Sequence, residues 1–350
     1  MSTTPKQPFV TVILPIRNEA RYIGPCLDSI LETEYPLDSL EVLVIDGNST
    51  DETAALVSGY SENHPFIKLM HNPHRTVPYA MNIGIKAANG EIIVRMDAHA
   101  SYETSYITKL IEWMAVLGAD NVGGICLTRP SSNAPEAYAV ATILSHPFGV
   151  GDSHFRIATS KEPREVDTVP FGCYKKTTLE RLGYYDVMMT RNQDDELNAR
   201  LRRQGGRIFL IPEIQVEYFA RDTLSKMSKM LYQYGYFKPL VALKVGRPAT
   251  LRQFAPPVFA ASVLFLPLFS ILFPPLLWLW ACIIGAHSFL NLRISSSIAS
   301  NHAKPITTIL AKGFFMAHMA YGLGYLKGTL DFVILGKHKG GKNDAIALSR

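Results

Sequence analysis

Met96-Asp97-Ala98-His99 sets a carboxylate and an imidazole two residues apart at the end of an apolar run. Two such groups offered from one turn can hold a single hard divalent cation, which would bridge the oxygens of a diphosphate. The same pattern arises without function, because an Asp at a strand end often only caps a turn. No Gly-x-Gly-x-x-Gly follows the first strand pattern, and no Gly-x-x-x-x-Gly-Lys-Ser/Thr occurs. A Rossmann dehydrogenase or a P-loop NTPase would therefore lack its phosphate cradle. If nucleotide phosphates bind, a carboxylate-held cation is the candidate that neutralises them. A second acidic group, Asp194-Asp195-Glu196, opens a helical pattern, where capping and the helix dipole are reasons enough for it.

The elements that must position these groups alternate. Phe9 to Ile16, Leu40 to Asp46, Phe66 to His71 and Glu91 to Asp97 are short β-rich runs. Helical patterns follow Glu19, start at Asp51, and span about Pro78 to Ala88. Apolar strands alternating with helices predict a mostly parallel sheet covered on both faces. Asp46 and Asp97 both end strands, and the carboxyl ends of parallel strands are where such sheets bind ligands.

The rear of the chain differs. From Gln253 to Leu292 there is no Asp, Glu, Lys or Arg, a stretch longer than the roughly 20 residues one bilayer crossing needs. Pro256-Pro257, Pro267 and Pro274-Pro275 argue against one straight helix. The expectation is a transmembrane hairpin over 253–292 turning near Phe273-Pro274-Pro275, with Trp278 and Trp280 close to one interface. A buried helical pair in a soluble protein is the alternative. The net charge of +5 is modest, and its placement says more. Lys226, Lys229, Lys238, Lys244, Arg247 and Arg252 precede the apolar run, and Arg293 and Lys304 follow it. Basic flanks on both sides suit a cytoplasmic, anionic leaflet and not nucleic acid. Residues 221–252 mix basic, aliphatic and aromatic side chains, as an amphipathic interface helix would. Residues 293–350 hold a third apolar segment, Ile306 to Leu335, and a basic tail, Lys337 to Lys342. That segment could span or lie at the interface with its charges outward, giving two or three crossings. Gly322, Gly324 and Gly328 in it would permit close helix packing. Met1 to Pro8 is polar, which is not a signal-peptide pattern. Cys26, Cys126, Cys173 and Cys282 show neither paired nor metal-ligand spacing, and read as reduced, buried thiols.

Pro15-Ile-Arg-Asn18-Glu19, Asp46-Gly-Asn-Ser-Thr-Asp51, Asn82 through Asp97, and the acidic segment at 194 stand in an order that resembles the family 2 glycosyltransferases. These are inverting enzymes with the nucleotide-sugar-binding fold known as GT-A. The resemblance covers about residues 9–220 and implies a catalytic domain over 1–220. It implies that Pro15, Asn18, Glu19, Asp46, Asn82 and Asp97 seat the nucleotide sugar. It also implies that Asp97 and His99 hold Mg²⁺ or Mn²⁺, and that Asp194 is the base. The usual second loop is Asp-Asp-Gly-Ser-Thr-Asp, and here Gly47 stands at the second Asp. The usual metal motif is Asp-x-Asp, and here its last ligand is His99, a softer group that suits Mn²⁺ better. His99 meeting a phosphate while Asp97 alone holds the cation is the other reading. Phe171-Gly172-Cys173-Tyr174 resembles the segment lining the acceptor pocket, with Gly172 allowing close approach of a sugar.

Processive members of the family carry Gln-x-x-Arg-Trp near the membrane. Gln233-Tyr-Gly-Tyr-Phe237 offers the Gln without Arg or Trp, which implies addition of one sugar, with Gln233 toward the acceptor. The sequence is similar to bacterial exopolysaccharide glycosyltransferases of the succinoglycan-biosynthesis type. That implies transfer from a nucleoside diphosphate sugar, with uridine the expected base, to a lipid-linked saccharide at the cytoplasmic face of the membrane. A polyprenyl-phosphate sugar transferase and a catalytically inactive membrane scaffold are the competing readings.

Overall fold

The computed structural model describes residues 7–340 except 152, 158–160, 249 and 301–304. Most of the N-terminal segment, Lys304 and the tail's Lys342 therefore lie outside the described residues. The chain divides into two units, Met1–Leu127 with His154–Tyr218, and Thr128–Ser153 with Phe219–Arg350.

The first unit is built on one sheet. Its strands are Val10–Ile16 (β1), Leu40–Asp46 (β2), Ile67–His71 (β3), Ile92–Arg95 (β4), Ala100–Tyr102 (β5), Asn121–Arg129 (β6), Arg164–Glu165 (β7), Cys173–Lys175 (β8) and Ile208–Phe219 (β9). They run in the order β3-β2-β1-β4-β8-β6-β9-β5, with β7 on β9. Alternation along β1 explains the burial of both faces. Val10, Val12, Leu14 and Ile16 join one core with helix Ile23–Leu31, while Ile13 joins the other with Met81 and Ile85 of helix Val77–Ala87. The expected runs are strands within a residue or two of their sequence bounds. Parallel pairing holds for β3-β2-β1-β4, and β4-β8, β6-β8, β5-β9 and β7-β9 are antiparallel. The sheet is thus mixed, parallel through its first four strands and antiparallel beyond them. Parallel pairing needs a crossover between strands, and the helical crossovers read from the sequence stop at β4.

The second unit is helical. Residues 128–153, which carry no composition break, leave the first unit to join it. Helix Pro135–Ser145 packs Val140, Ile143 and Leu144 in one core with Leu224, Met227, Leu310 and Phe314. Helices Leu224–Val245 and Thr307–Gly328 meet through glycines. A Cβ on Gly235 would sit 2.1 Å from the Tyr321 carbonyl oxygen, and one on Gly324 would sit 2.1 Å from that of Tyr232. Close backbone approach of this kind is what small residues permit between helices. Much of the apolar side of helix Leu224–Val245 is therefore covered by protein.

Asp331, set outward in one of the two readings of this segment, is buried. It accepts from the Tyr236 hydroxyl (2.9 Å) and pairs with Lys327 (2.8 Å) and Lys337 (2.7 Å). The charge-free stretch lies in helix Ala255–Phe269 and most of helix Pro275–Ser300, separated by a turn at 270–274. Ile271, Leu272 and Trp278 are exposed there. Two helices, Leu251–Phe269 and Pro275–Ser300, are long and apolar enough to cross a membrane. Cys26, Cys126 and Cys173 are buried, whereas Cys282 in the second of these helices is exposed.

Candidate active site

The loops after β1 and β2 interlock at the carboxyl edge of the parallel strands. Asn18 takes a left-handed backbone (φ 55°), and its side-chain oxygen accepts from the Thr50 N–H at 2.8 Å. The Asn18 N–H donates to Ser49 Oγ at 2.9 Å, and the Glu19 N–H donates to Thr53 Oγ1 at 2.8 Å. Asp46 is buried and accepts from the Ser49 backbone N–H (3.1 Å) and hydroxyl (2.5 Å). Its carboxylate therefore shapes its own loop. Gly47 has a physical reason as well. A Cβ there would lie 3.2 Å from the Ile16 carbonyl oxygen and 3.4 Å from Arg75 Cα, which leaves little room for a second Asp. Pro15 lies within β1, paired with Ile45 of β2.

The turn after β4 is pinned from several sides. The Arg95 N–H donates to Gly172 O (3.1 Å) and the Met96 N–H to Ile13 O (3.1 Å). The Asp97 N–H donates to the Tyr102 hydroxyl, at 2.7 Å. His99 leaves this turn toward Glu19, with Nδ1 3.5 Å from Glu19 Oε1 and the ring edge-on to Tyr218. Thus Glu19 and His99 join the first loop to the β4 turn.

Asp194 comes from the first turn of helix Gln193–Arg203. That helix starts at Asn192, whose φ of 58° is left-handed. Two of the three acids in this turn differ sharply in their attachments. Glu196 is buried against Arg200 (2.6 Å), which itself donates to the carbonyls of Leu182 and Tyr184. Asp194 instead meets Arg95. The Arg95 Nη1 donates to Asp194 Oδ1 (2.7 Å) and Oδ2 (2.6 Å), while Nε and Nη2 donate to Asp97 Oδ1 (3.2 and 3.1 Å). The Tyr185 hydroxyl adds a longer bond to Asp194 Oδ1 (3.4 Å). One guanidinium, 7% exposed, is thus flanked by Asp97 (15%) and Asp194 (27%).

Burial opposes the Arg95 charge, but the carboxylates of Asp194 and Asp97 outweigh it and hold the guanidinium protonated. Burial raises the Asp194 carboxyl above the ordinary Asp value, with the Arg95 charge pulling the other way and Asp97 adding to the rise. A carboxylate so placed is a better proton acceptor than an ordinary exposed Asp.

Arg95, Tyr102 and Tyr185 had no place in the sequence reading. Arg95 stands two residues before Asp97 and so shares its side of the strand, which is the local signal that could have found it. Two expected residues have other attachments. The Asn82 amide is used in both directions by Tyr185, donating to its carbonyl (2.8 Å) and accepting from its N–H (2.9 Å). It positions the segment that carries Tyr185. A Cβ on Gly172 would lie 2.5 Å from the Tyr174 ring and 2.6 Å from Asn121 Oδ1. Packing within the protein is therefore sufficient reason for that glycine. Gln233 is buried in helix Leu224–Val245 of the second unit.

Among the described residues no group of three or more His, Cys, Asp or Glu is placed to hold a metal ion. The Asp97 carboxylate accepts from Arg95 and His99 Nδ1 faces Glu19, so a divalent cation held by this pair would draw most of its ligands from diphosphate and water.

The family described as Glycosyl transferase family 2 matches residues 11–173. The chain is similar to the dolichyl N-acetyl-alpha-D-glucosaminyl phosphate 3-beta-D-2,3-diacetamido-2,3-dideoxy-beta-D-glucuronosyltransferase of Methanococcus voltae. They are 32% identical over 244 residues, covering 67% of this chain and 74% of that protein. It is also similar to the succinoglycan biosynthesis protein ExoA of Rhizobium meliloti, 25% identical over 323 residues, covering 92% of this chain and 95% of the other. Among solved structures, the mannosyltransferase PcManGT from Pyrobaculum calidifontis in complex with GDP-Man and Mn²⁺ superposes with a TM-score of 0.56. It is 22% identical and covers 93% of this chain and 88% of that one, which shows a shared GT-A-like fold. With two strand-end loops, a carboxylate turn after β4 and these relatives in agreement, the chain belongs to glycosyltransferase family 2.

Proposed function

We propose that this glycosyltransferase moves one sugar, with inversion, from a nucleoside diphosphate donor to a lipid-linked saccharide in exopolysaccharide assembly at the cytoplasmic face of a membrane. The observation that carries the reading is the convergence of Asp97 and Asp194 on one buried guanidinium, although 97 residues separate them. In a single displacement the acceptor hydroxyl oxygen bonds to the anomeric carbon, and the bond from that carbon to the diphosphate oxygen breaks. The diphosphate leaves with the electron pair, and Asp194 takes the hydroxyl proton. Attack opposite the leaving group inverts the centre.

When bound, a divalent cation on Asp97, assisted by His99, would neutralise the departing diphosphate. Glu19 orients His99 through their contact, and Asn18 and Asp46 hold the loops that seat the nucleotide. Uridine is the proposed base. The acceptor proposal is supported by the Methanococcus voltae relative, whose name places its substrate on dolichyl phosphate, and by the two apolar helices. The succinoglycan relative supports the pathway class.

Asp194→Asn tests the assignment. It is expected to retain donor binding and to lower transfer by about 10²–10⁴-fold, the usual worth of a general base. Full turnover in that variant, measured as labelled sugar entering lipid-linked product, would remove the base from Asp194.

A further inference from the structure

Arg95 has no part in the displacement described above, yet both carboxylates that do are bound to it. Its planar guanidinium offers separate edges, Nε with Nη2 toward Asp97 and Nη1 toward Asp194. The side chain is nearly sealed from solvent and fixed at its root by the Arg95 N–H bond to Gly172 O. Lys could not reproduce this, because an ammonium has no rigid fork that can serve two partners at set angles. Without the guanidinium, two carboxylates would face each other across a poorly solvated gap and repel.

We propose that Arg95 is a positioning residue. It fixes Asp97 and Asp194 as one unit and supplies, before donor and cation arrive, the positive charge that keeps the pair together. The inference rests on the reading of Asp97 and Asp194 given above. It has an unusual consequence. A divalent cation arriving at Asp97 must share Oδ1 with two Arg95 N–H groups and must approach a site already carrying a positive charge. Arg95 therefore weakens cation binding while it supports turnover, and its removal should move the two quantities in opposite directions.

The test uses the full chain in detergent, with Mn²⁺ binding followed by the electron paramagnetic resonance of free Mn²⁺ in the presence of UDP or GDP and no acceptor. Turnover is followed as nucleoside diphosphate released from labelled UDP-sugars and GDP-sugars in membranes. Arg95→Gln should lower turnover by about 100-fold or more, in the range that misplacing catalytic groups produces. The same variant should reach half-saturation at a Mn²⁺ concentration several-fold below wild type. Arg95→Lys keeps the charge but not the fork. It should leave Mn²⁺ half-saturation within about twofold of wild type while turnover falls at least about tenfold.

A merely structural arginine would lose turnover and cation binding together. Mn²⁺ half-saturation unchanged or raised in a folded Arg95→Gln, or wild-type turnover in Arg95→Lys, overturns the proposal. If Arg95→Gln does not fold, the Lys variant decides alone. Wild-type protein that shows neither transfer nor Mn²⁺-dependent nucleotide binding would bring down the underlying reading as well, so the two failures are told apart.

Discussion

Each unit holds a three-membered ion cluster around a buried central member, and the clusters are opposites in charge. In the first unit one cation, Arg95, lies between two carboxylates, Asp97 and Asp194. In the second, one carboxylate, Asp331, lies between two cations, Lys327 and Lys337, with Tyr236 donating to it as well. The decisive difference is which member reaches solvent. Asp331 is 2% exposed and its lysines are 44% and 50% exposed, so its capacity is used up within the protein and its partners are readily replaced by water. Around Arg95 the sealed member is the shared cation, and the carboxylates are the ones that keep partial access. A closed cluster serves packing. A cluster whose anions remain reachable can accept a proton or a cation, and that is the one the proposed chemistry uses.

The comparison breaks most visibly under matched substitutions. Asp194→Asn should cost about 10²–10⁴-fold in transfer with little change in thermal midpoint. Asp331→Asn should leave turnover per folded molecule within about twofold while lowering stability by about 2 kcal/mol. That is below the usual cost of breaking a buried pair, because the stranded lysines can be hydrated. Transfer rates and melting curves in one detergent measure both. Loss of turnover in folded Asp331→Asn would mean that the second cluster is not simply structural.

How much of this could be read from the sequence follows from the range over which each interaction acts. The strands β1 to β4 were legible because aliphatic runs bounded by turn residues are a local signal, as were Asp46 and Asp97 at their ends. The hairpin at 270–274 was legible because prolines mark it. Arg95 was not read as part of the site, since its meaning lies in a carboxylate 99 residues onward. Asn82 looked like part of a binding motif, yet its amide is satisfied by a backbone 103 residues away. The transfer of 128–153 into the second unit was equally hidden, because an apolar helix face does not say which core it enters.

A second way to sharpen the contrast is to load the helix contact that carries the second unit's packing. Gly324→Leu places side-chain atoms against the Tyr232 carbonyl, where even a Cβ would come within 2.1 Å. Overpacking of this kind costs about 1–3 kcal/mol. The melting midpoint should fall, and donor binding by protein that remains folded should be unaltered. Unchanged melting would show that the two helices are free to separate.

The third test is pH. Burial raises the Asp194 carboxyl pKa, Arg95 opposing, and the base works only as the carboxylate. Transfer should therefore be lost, as pH falls, above the ordinary Asp range near about 3.9. The stability term has the reverse sign. A carboxyl with a raised native pKa contributes stability that is full below the unfolded pKa and fades as pH rises through the native one. Around Asp194 the protein thus gives up stability to keep a usable base. Initial rates across the acid range check the first statement, and an acid limb at or below that of an ordinary Asp contradicts it.

The smallest effect is the most specific to the closed cluster. Lys337→Ala alone should cost no more than about 0.5–1 kcal/mol, because the lysine is half exposed and Lys327 still serves Asp331. Lys327→Ala alone should behave in the same way through Lys337. Together the two substitutions leave Asp331 buried with the Tyr236 hydroxyl as its one remaining donor among the described residues. The double variant should then lose more than the sum of the single losses, with a coupling of roughly 0.5–3 kcal/mol typical of residues sharing a partner. Strict additivity in a melting cycle would mean that the lysines act independently on a solvated Asp331. The opposition between a sealed cation with reachable anions and a sealed anion with replaceable cations would then no longer describe the two units.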